Sequence, residues 1–329
     1  MAKRILVTGG AGFISSAFIR HLLKATPYEV VSLDALTYAG NLENLADIRS
    51  HERLSFVQGD IRDEALIRSV VDEVDVIVNA AAESHVEKSI LEGASEFVAT
   101  NVEGTRVLLD AIREVPVERF ILISSSEVYG TAESAPMDEK HPLNPRSPYA
   151  ATKAGADRLA YSYHATYALP IVIVRPFNNY GARQHPEKVI PRFVIQGLED
   201  QPLTVHGDGS ASRDWLYVDD DAEAIEAVIA AGDEVVGEVI NIAAGVDVSV
   251  SQIADFVLDL LGKPASLKQF VDERPGQVRR HVGSTEKAER LLGWRARTSL
   301  EEGLKRTIAW YRDNEAWWRA TQAASVYSS

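Results

Sequence analysis

Tyr149 and Lys153 are four residues apart near the start of a helical segment, Ser147–Lys153. Ser147 is a typical helix N-cap, and Pro148 is typical of the first helical position. Residues spaced by four lie on one helical face, so we expect the Lys153 ammonium group beside the Tyr149 phenol. A neighbouring positive charge lowers the pKa of a phenol, which can then accept a proton from an alcohol. The pair predicts alcohol deprotonation during hydride transfer, although this spacing also arises often by chance.

A second polar segment, Ser124-Ser125-Ser126-Glu127, directly follows the apolar run Phe120–Ile123. In a doubly wound sheet, ligands bind at the carboxyl ends of the strands. We expect Ser125 to hydrogen-bond the same substrate hydroxyl as Tyr149. Glu127 then supplies a carboxylate that removes a proton from carbon. Taken alone, Glu127 would more often be a solvated turn residue.

A glycine-rich turn, Thr8-Gly9-Gly10-Ala11-Gly12-Phe13-Ile14-Ser15, connects the apolar run Ile5–Val7 to a helical stretch. Glycines let the backbone approach a pyrophosphate, whose charge is met by the helix N-terminus. Ser15 stands where a third glycine is usual, and it is small enough for close packing. Asp34 ends the next strand, where a carboxylate binds ribose hydroxyls and repels a 2′-phosphate. The turn therefore predicts NAD rather than NADP.

Further cofactor contacts are expected where the next two strands end. Gly59-Asp60-Ile61 and Ala80-Ala81-Ala82 follow apolar runs whose carboxyl ends share the same edge. The residues expected to bind NAD are Gly9, Gly12, Phe13, Ile14, Asp34, Asp60, Ile61, Ala80, Ala82, Tyr149 and Lys153. No metal site is predicted.

A parallel sheet is needed to bring these motifs to one edge. Short β-branched runs alternate with helical-period stretches, which predicts a doubly wound parallel sheet with helices on both faces. The runs are Ile5–Val7, Val30–Leu33, Leu54–Val57, Val76–Val78, Phe120–Ile123 and Ile171–Val174. After Pro176, short segments such as Leu203–Val205 and Val239–Ile242 predict a smaller mixed α/β lobe. An apolar stripe in residues 300–319 predicts a terminal helix packed on that lobe.

The two lobes are expected to have different functions in binding and catalysis. Residues 1–176 are expected to bind the cofactor and carry the catalytic residues, and residues 177–329 mainly to bind the substrate. Whether the chain crosses back between the lobes stays open at this point. A cleft between the lobes is the expected ligand site.

The composition is that of a globular protein, with 329 residues, 46% of them hydrophobic and 25% charged. The net charge of −14 repels nucleic acid and anionic membranes, so an anionic ligand needs a locally positive pocket. The chain has no Cys, which excludes disulfides, thiolate zinc sites and cysteine nucleophiles. No apolar stretch approaches the ~20 residues of a membrane span, and the N-terminus lacks a signal-peptide core. We expect a soluble cytoplasmic protein with no nucleic-acid or membrane partner.

Together, Thr8–Ile14, Ser125-Ser126-Glu127 and Tyr149-x-x-x-Lys153 resemble the extended short-chain dehydrogenase/reductase superfamily, which implies a Rossmann-type domain. The chain most resembles the nucleotide-sugar 4,6-dehydratases, especially the dTDP-glucose 4,6-dehydratases. The further segments that carry this resemblance are Leu36–Leu42, Ala82–Val86, Asn178–Gly181, His185–Lys188, Arg213–Trp215 and Asp272–Gly276. They cover nearly the whole chain.

The resemblance implies an NAD that stays tightly bound and is recycled. The residue matching Tyr149 takes the proton of the sugar 4-hydroxyl while hydride passes from C4 to NAD. The residue matching Glu127 then removes the C5 proton as water leaves C6, and hydride returns to C6. Oxidation has to come first, because C5–H is too weak an acid before C4 becomes a ketone. The product is a nucleoside-diphospho-4-keto-6-deoxysugar.

The resemblance also implies binding residues and an oligomer. The side chains expected to contact the nucleoside-diphosphate sugar are Ser84, His85, Asn178, Lys188, Arg213 and Arg274. Guanidinium groups suit paired phosphate oxygens. A homodimer is expected through a four-helix interface, with helices near residues 100–115 and 148–166.

Two departures from the family pattern leave the substrate open. Ser126 stands where an aspartic acid usually donates a proton to the leaving 6-hydroxyl, and a serine hydroxyl is a poorer acid. Gln277-Val278 stand where dTDP-glucose enzymes usually carry His-Asp. An NDP-glucuronate decarboxylase or an NDP-sugar 4-epimerase, both using the same C4 oxidation, therefore remains an alternative. So does a non-catalytic NAD-sensing protein, because a fold does not establish activity.

Overall fold

The computed structural model describes residues 2–273 and 278–326. Its strands, numbered in chain order, are β1 Arg4–Thr8, β2 Glu29–Asp34, β3 Leu54–Gln58, β4 Val76–Asn79, β5 Arg119–Ile123, β6 Ile171–Pro176, β7 Asn178–Tyr180, β8 Leu203–His206, β9 Ser212–Tyr217, β10 Val239–Ile242, β11 Asp247–Ser249 and β12 Lys268–Val271. Its helices are α1 Phe13–Ala25, α2 Glu64–Val71, α3 Val86–Leu91, α4 Ser95–Phe97, α5 Thr105–Glu114, α6 Pro148–Tyr167, α7 Val189–Leu198, α8 Val218–Ala230, α9 Val250–Leu261, α10 Glu286–Leu292, α11 Leu300–Asp313 and α12 Glu315–Val326.

Seven parallel strands form the large sheet, in the order β10-β6-β5-β4-β1-β2-β3. The six strands expected from the apolar runs are all present, so the predicted doubly wound sheet is confirmed. The strand order reverses direction at β1, which lies between β4 and β2. Such a switch point leaves a crevice at the carboxyl ends of the strands, where ligands bind.

Apolar side chains cover both faces of this sheet, as a parallel sheet requires. One face packs against α1 and α8, through residues such as Phe18, Leu22 and Val228. The other face packs against α2, α5 and α6, with Ile67 and Leu108 in its core. The sheet is therefore the middle layer of three, and its edges and strand ends remain available for loops.

The expectation that Val239–Ile242 belongs to the smaller lobe is wrong. This segment is β10, which pairs in parallel with β6 at the edge of the large sheet, with Val239 opposite Ile173. Helix α8 also packs against α1, so the chain crosses back to the large sheet after residue 177. Sequence could not reveal this, because a four-residue apolar strand fits either sheet.

The smaller lobe contains a three-stranded sheet, β11-β9-β7, and the two-stranded pair β12-β8. Helices α7, α9 and α11 pack around its core, which includes Phe193, Val257 and Leu304. The predicted smaller mixed α/β lobe is confirmed in this form.

The apolar stripe in residues 300–319 forms two helices rather than one. The chain turns at Asn314, whose Nδ2 donates to the Trp310 oxygen at 2.8 Å, between α11 and α12. The Trp318 indole then donates to the Tyr311 oxygen at 3.0 Å and folds α12 back onto α11. Within residues 2–273 and 278–326, no helix combines the length and apolar character of a membrane span.

Candidate active site

A cavity of about 1300 Å³ opens at the carboxyl ends of the large sheet and reaches the smaller lobe. The predicted site residues that line it are Gly9, Gly12, Phe13, Ile14, Asp34, Asp60, Ile61, Ala80, Ala82, Ser84, Ser125, Ser126, Glu127, Tyr149, Lys153, Asn178 and Lys188. Ligand pockets for one small molecule commonly measure about 300–1000 Å³. The cavity therefore has room for a dinucleotide together with a second ligand.

The glycine turn brings backbone close to backbone at the floor of the cavity. Gly9 has φ +66°, and a Cβ there would lie 2.8 Å from the Ala81 Cα, so a larger residue would be strained and crowded. Gly12 caps α1 without any side-chain hydrogen bond, which leaves the positive helix N-terminus facing the cavity. Ser15 is buried, as expected for a small residue packed between helix and strand.

Asp34 ends β2 at the wall of the same cavity. Its two carboxylate oxygens accept the backbone N–H groups of Ala11 at 2.9 Å and Leu36 at 2.7 Å. Burial raises the Asp34 pKa, and these two hydrogen bonds lower it in part. A Cβ on Gly40 would lie 2.4 Å from Asp34 Oδ1, so Gly40 leaves the carboxylate accessible. A free lone pair on each oxygen remains for a ribose hydroxyl.

These features fit NAD. The cradle at Gly9, the uncapped N-terminus of α1 and the Asp34 carboxylate all line one cavity, as binding of a pyrophosphate and its ribose requires. Asp60, Ile61, Ala80 and Ala82 extend the lining along the strand ends. Within the described residues, no cluster of His, Asp and Glu has the arrangement of a metal site.

The catalytic candidates converge from two elements. Ser125 caps the one-turn 3₁₀ helix Ser126–Tyr129, its hydroxyl accepting the Glu127 N–H at 3.2 Å. Tyr149 and Lys153 lie one turn apart on α6, which begins with the predicted Ser147 cap and Pro148. The Ser125 side chain hydrogen-bonds Tyr149, as expected for two groups that share one substrate hydroxyl.

The effect of Lys153 on Tyr149 differs from the expectation. Lys153 Nζ donates to the Ile123 oxygen at 2.7 Å, at the end of β5. Burial raises the pKa of Tyr149 to about 12, and the hydrogen bond from Ser125 lowers it only in part. Burial also lowers the pKa of Lys153 to about 8, against the opposing charge of Asp157. The expected lowering of the Tyr149 pKa by the Lys153 ammonium group is therefore not found, and burial sets the direction of the shift.

Glu127 is partly exposed to the cavity, whereas Ser126 is 2% exposed. The Glu127 carboxylate lies within electrostatic reach of Tyr149, Arg213 and His281. Glu127 is therefore a base placed on the same wall as Tyr149, and Ser126 offers only a hydroxyl beside it.

The expected substrate residues divide into two groups. Ser84, Asn178 and Lys188 line the cavity, and Lys188 Nζ donates to the Ser84 oxygen at 3.3 Å. Asn178 Oδ1 is buried without a hydrogen-bond partner among the described residues, so it is available to a ligand.

The other three residues are placed differently. His85 lies outside the cavity lining among the described residues; its Nδ1 accepts the Lys88 N–H, and its Nε2 lies 2.8 Å from Glu187 Oε2. Arg213 also lies outside that lining, and its Nη1 donates to the oxygens of Ser212 and Val278. Arg274 is outside the described residues.

Glu187 is a residue that sequence reasoning left without a role. It lines the cavity and contacts His85, His185 and Lys188. Burial raises its pKa, but hydrogen bonds from His185 and His85 and the Lys188 charge hold the pKa well below its usual range. The sequence feature that could have identified Glu187 as a site residue is its position inside the motif His185–Lys188. The first half of α12, up to Thr321 and including Trp317, also lines the cavity, and no sequence motif indicated it.

Comparisons with known proteins agree with this geometry. The family model of the GDP-mannose 4,6 dehydratases matches residues 6–307. A dTDP-glucose 4,6-dehydratase from Actinoplanes sp. is 43% identical over 321 residues, covering 96% of this chain and 99% of that protein. The low-salt glycan biosynthesis protein Agl12 of Haloferax volcanii is 47% identical, covering 93% of this chain and 98% of that protein.

A solved structure gives the same result. The dTDP-glucose 4,6-dehydratase DesIV from Streptomyces venezuelae, with NAD and TYD bound, has a TM-score of 0.92 at 45% identity. The match covers 97% of this chain and 99% of that one. The predictions of a Rossmann-type fold and of an NAD-dependent nucleotide-sugar dehydratase are confirmed at the level of the family. The chain belongs to the GDP-mannose 4,6-dehydratase family.

Proposed function

We propose that the protein is an NAD-dependent 4,6-dehydratase that converts dTDP-glucose to its 4-keto-6-deoxy derivative. The observation that carries this proposal is the convergence of Ser125, Glu127 and Tyr149 on one wall of a cavity that also holds the glycine turn. The substrate rests on the relatives, which are dTDP-glucose 4,6-dehydratases at 40–43% identity over almost their full length.

The residues divide the reaction between two carbons. When bound, NAD would accept a hydride from C4 and return it at C6, and C5 takes up a proton from solvent in that last step. Tyr149, hydrogen-bonded by Ser125, takes the proton of the 4-hydroxyl in its phenolate form, which the positive charge of a bound nicotinamide ring would favour against burial. The C4 ketone then acidifies the neighbouring C5–H, and Glu127 removes that proton as the C6–O bond breaks. In this order Tyr149 is the base for the 4-hydroxyl, called the alcohol base below, and Glu127 is the base for C5–H, called the carbon base.

The leaving hydroxyl needs a proton, and Ser126 is a poor source for it. A serine hydroxyl is far less acidic than a carboxylic acid. After taking the C5 proton, Glu127 is itself a carboxylic acid beside the substrate, so we infer that it protonates the departing C6 hydroxyl. Water then leaves with no net change in the charge of Glu127, and Ser126 hydrogen-bonds the leaving oxygen.

Cofactor and substrate are proposed to bind in different parts of the chain. Residues 1–176 bind NAD and carry the catalytic side chains, and residues 177–329 mainly bind the nucleotide sugar. Asn178 and Lys188 face the sugar nucleotide from the second part, since both line the cavity. Arg213 reaches the diphosphate only if its guanidinium turns from the Val278 oxygen.

A homodimer is proposed through α5 and α6. Tyr161 and Tyr167 on α6 are each 46% exposed, and Val98, which begins the π-helical segment Val98–Gly104 leading into α5, is 48% exposed. Large apolar side chains on two neighbouring helices suit burial against a second copy. Light scattering coupled to size exclusion tests this directly. A cytoplasmic location stays a prediction from the sequence.

The test is product analysis by mass spectrometry without added NAD. The purified protein is incubated with dTDP-glucose, UDP-glucose, UDP-N-acetylglucosamine, GDP-mannose and UDP-glucuronate. Loss of one water from dTDP-glucose alone supports the proposal, and loss from another sugar corrects the nucleotide. Loss of carbon dioxide from UDP-glucuronate, or an isomer of unchanged mass, contradicts the dehydratase and favours the decarboxylase or the epimerase.

A further inference from the structure

A buried ion pair lies behind the catalytic side chains and outside the cavity lining. Arg175 on β6 binds Asp157 on α6 through two hydrogen bonds, Nε to Oδ2 at 2.8 Å and Nη2 to Oδ1 at 2.8 Å. Their side chains are 2% and 0% exposed. A buried charge pair is costly unless its geometry is good, and here each oxygen of the carboxylate has a guanidinium donor. The proposed chemistry does not use either residue.

The pair is joined to the helix that carries Tyr149 and Lys153. Asp157 follows Lys153 by one helical turn and Tyr149 by two, so all three lie on one face of α6. Asp157 Oδ2 also accepts the Ser124 hydroxyl at 2.8 Å, and Lys153 Nζ donates to the Ile123 oxygen. The end of β5 is thereby tied to α6 at two consecutive residues.

The same arginine is joined to the turn that carries Glu127. Arg175 Nη1 donates to the Tyr129 hydroxyl at 2.8 Å, and the guanidinium carbon lies 4.8 Å from the centre of the Tyr129 ring. Tyr129 is 0% exposed and ends the turn Ser126–Tyr129, two residues after Glu127. Its hydroxyl donates to Asn241 Oδ1 at 2.7 Å, on β10.

We propose that Arg175 and Tyr129 are positioning residues that set the distance between the carbon base Glu127 and the alcohol base Tyr149. This inference rests on the proposed dehydratase reaction. Tyr149 must reach the oxygen on C4 while Glu127 reaches the hydrogen on C5 of the same ring. Arg175 binds both supporting elements, α6 through Asp157 and the Glu127 turn through Tyr129. We expect oxidation at C4 and proton removal at C5 to depend on Arg175 and Tyr129 to different degrees.

The dependence is unequal because Ser125 and Lys153 also hold Tyr149 in place, through the end of β5. Glu127 lies on the turn Ser126–Tyr129, whose near end is held by Ser125 at the Glu127 N–H and whose far end is held by the Tyr129 hydroxyl. A shift of about 1 Å at a reacting group can cost about 100-fold in rate. Loosening Tyr129 is therefore expected to slow removal of the C5 proton more than oxidation at C4.

The test compares Tyr129→Phe with wild type and with Tyr180→Phe. Tyr129→Phe keeps the ring and removes only the hydroxyl. Tyr180 is a matched control, because it is 1% exposed and its hydroxyl donates to the Leu300 oxygen at 3.3 Å in the smaller lobe. Each holoenzyme reacts with dTDP-glucose in deuterated water. The readouts are reduced-nicotinamide absorbance for C4 oxidation, deuterium at C5 for proton removal, and keto-deoxysugar formation.

For Tyr129→Phe we expect C4 oxidation within about threefold of wild type. Deuterium incorporation at C5 and product formation are expected to fall about 10- to 100-fold, so that the reduced cofactor accumulates. KM changes little, and Tyr180→Phe behaves as wild type. Arg175→Lys, which keeps the charge but not the forked geometry, is expected to show the same selective loss.

An equal fall of oxidation and C5 exchange in Tyr129→Phe would overturn the positioning role, as would no change in either. If Arg175→Lys does not fold, Tyr129→Phe alone decides between these outcomes. If wild type dehydrates no nucleotide sugar, the proposed function fails, and this inference fails with it. If the wild type dehydrates the sugar but Tyr129→Phe loses C4 oxidation and C5 exchange equally, the positioning role is rejected and the proposed function stands.

Discussion

The buried charge of Lys153 is expected to destabilise the folded protein, and the free energy of unfolding of Lys153→Met measures by how much. The side chain is 5% exposed, and burial lowers its pKa from 10.5 to about 8 despite the charge of Asp157. Since each pKa unit corresponds to about 1.4 kcal/mol, keeping Lys153 charged in the folded state costs about 3 kcal/mol. Methionine has a similar length and bears no charge.

The cost depends on pH with a definite sign. Below pH 8 the ammonium group is charged in both folded and unfolded chains, so the folded state bears the whole cost. Between pH 8 and 10.5 the folded chain releases the proton more readily, and the stability of wild type rises. Near pH 10.5 the cost has disappeared.

Lys153→Met also removes the hydrogen bond to the Ile123 oxygen, and this loss lowers the stability of the variant by about 1 kcal/mol. The variant is therefore expected to be more stable than wild type by about 2 kcal/mol at pH 7. At pH 10.5 it is expected to be less stable by about 1 kcal/mol, because only the lost hydrogen bond remains. Activity is lost at both values.

Urea unfolding at both pH values measures this, on protein freed of cofactor because a ligand of the native state adds its own stabilisation. Lys140→Met is the control, since Lys140 is exposed and its replacement should change stability by less than about 0.5 kcal/mol. A stability difference that is independent of pH, or a variant less stable than wild type at pH 7, would refute the reasoning.

Three other substitutions test the site. Glu127→Gln should lower dehydration by about 10²- to 10⁴-fold while C4 oxidation persists, followed by product mass and nicotinamide absorbance; persistence of dehydration would remove Glu127 from the reaction. Ser126→Asp places a carboxylic acid beside the leaving hydroxyl and should speed elimination in single-turnover kinetics, and an unchanged rate would show that protonation of the leaving hydroxyl does not limit elimination in the wild type. Asp34→Ala leaves the Ala11 and Leu36 N–H groups without their acceptor and should weaken NAD binding at least about 10-fold by calorimetry, with a smaller preference over NADP.

Local sequence pattern was enough to predict six of the seven strands of the large sheet and the chemical groups at its carboxyl edge. The six apolar runs, the Ser147-Pro148 start of α6 and the glycine turn each encode a conformation within a few residues. Parallel strands share a carboxyl edge, so residues such as Asp34 and Glu127 could be placed at one site without knowing the rest of the fold.

Side-chain partners were not predictable in the same way. His85 and Arg213 were expected at the ligand, but their positions depend on Glu187 and Val278, which are distant in sequence. The Tyr149 pKa also depends on burial, a property of the assembled cleft. In each case the residue type indicated the chemistry of the side chain, but its partners and its burial could not be predicted from the sequence.

The sequence determined which residues have the right chemistry, because helix caps, glycine turns and strand periodicity act over a few positions. Tertiary structure decided where β10 pairs and how α12 reaches the cavity. It also decided that Arg175 joins Asp157 to Tyr129. These contacts link segments tens of residues apart, and their energies come from packing and burial, which exist only once the layers of the fold have met.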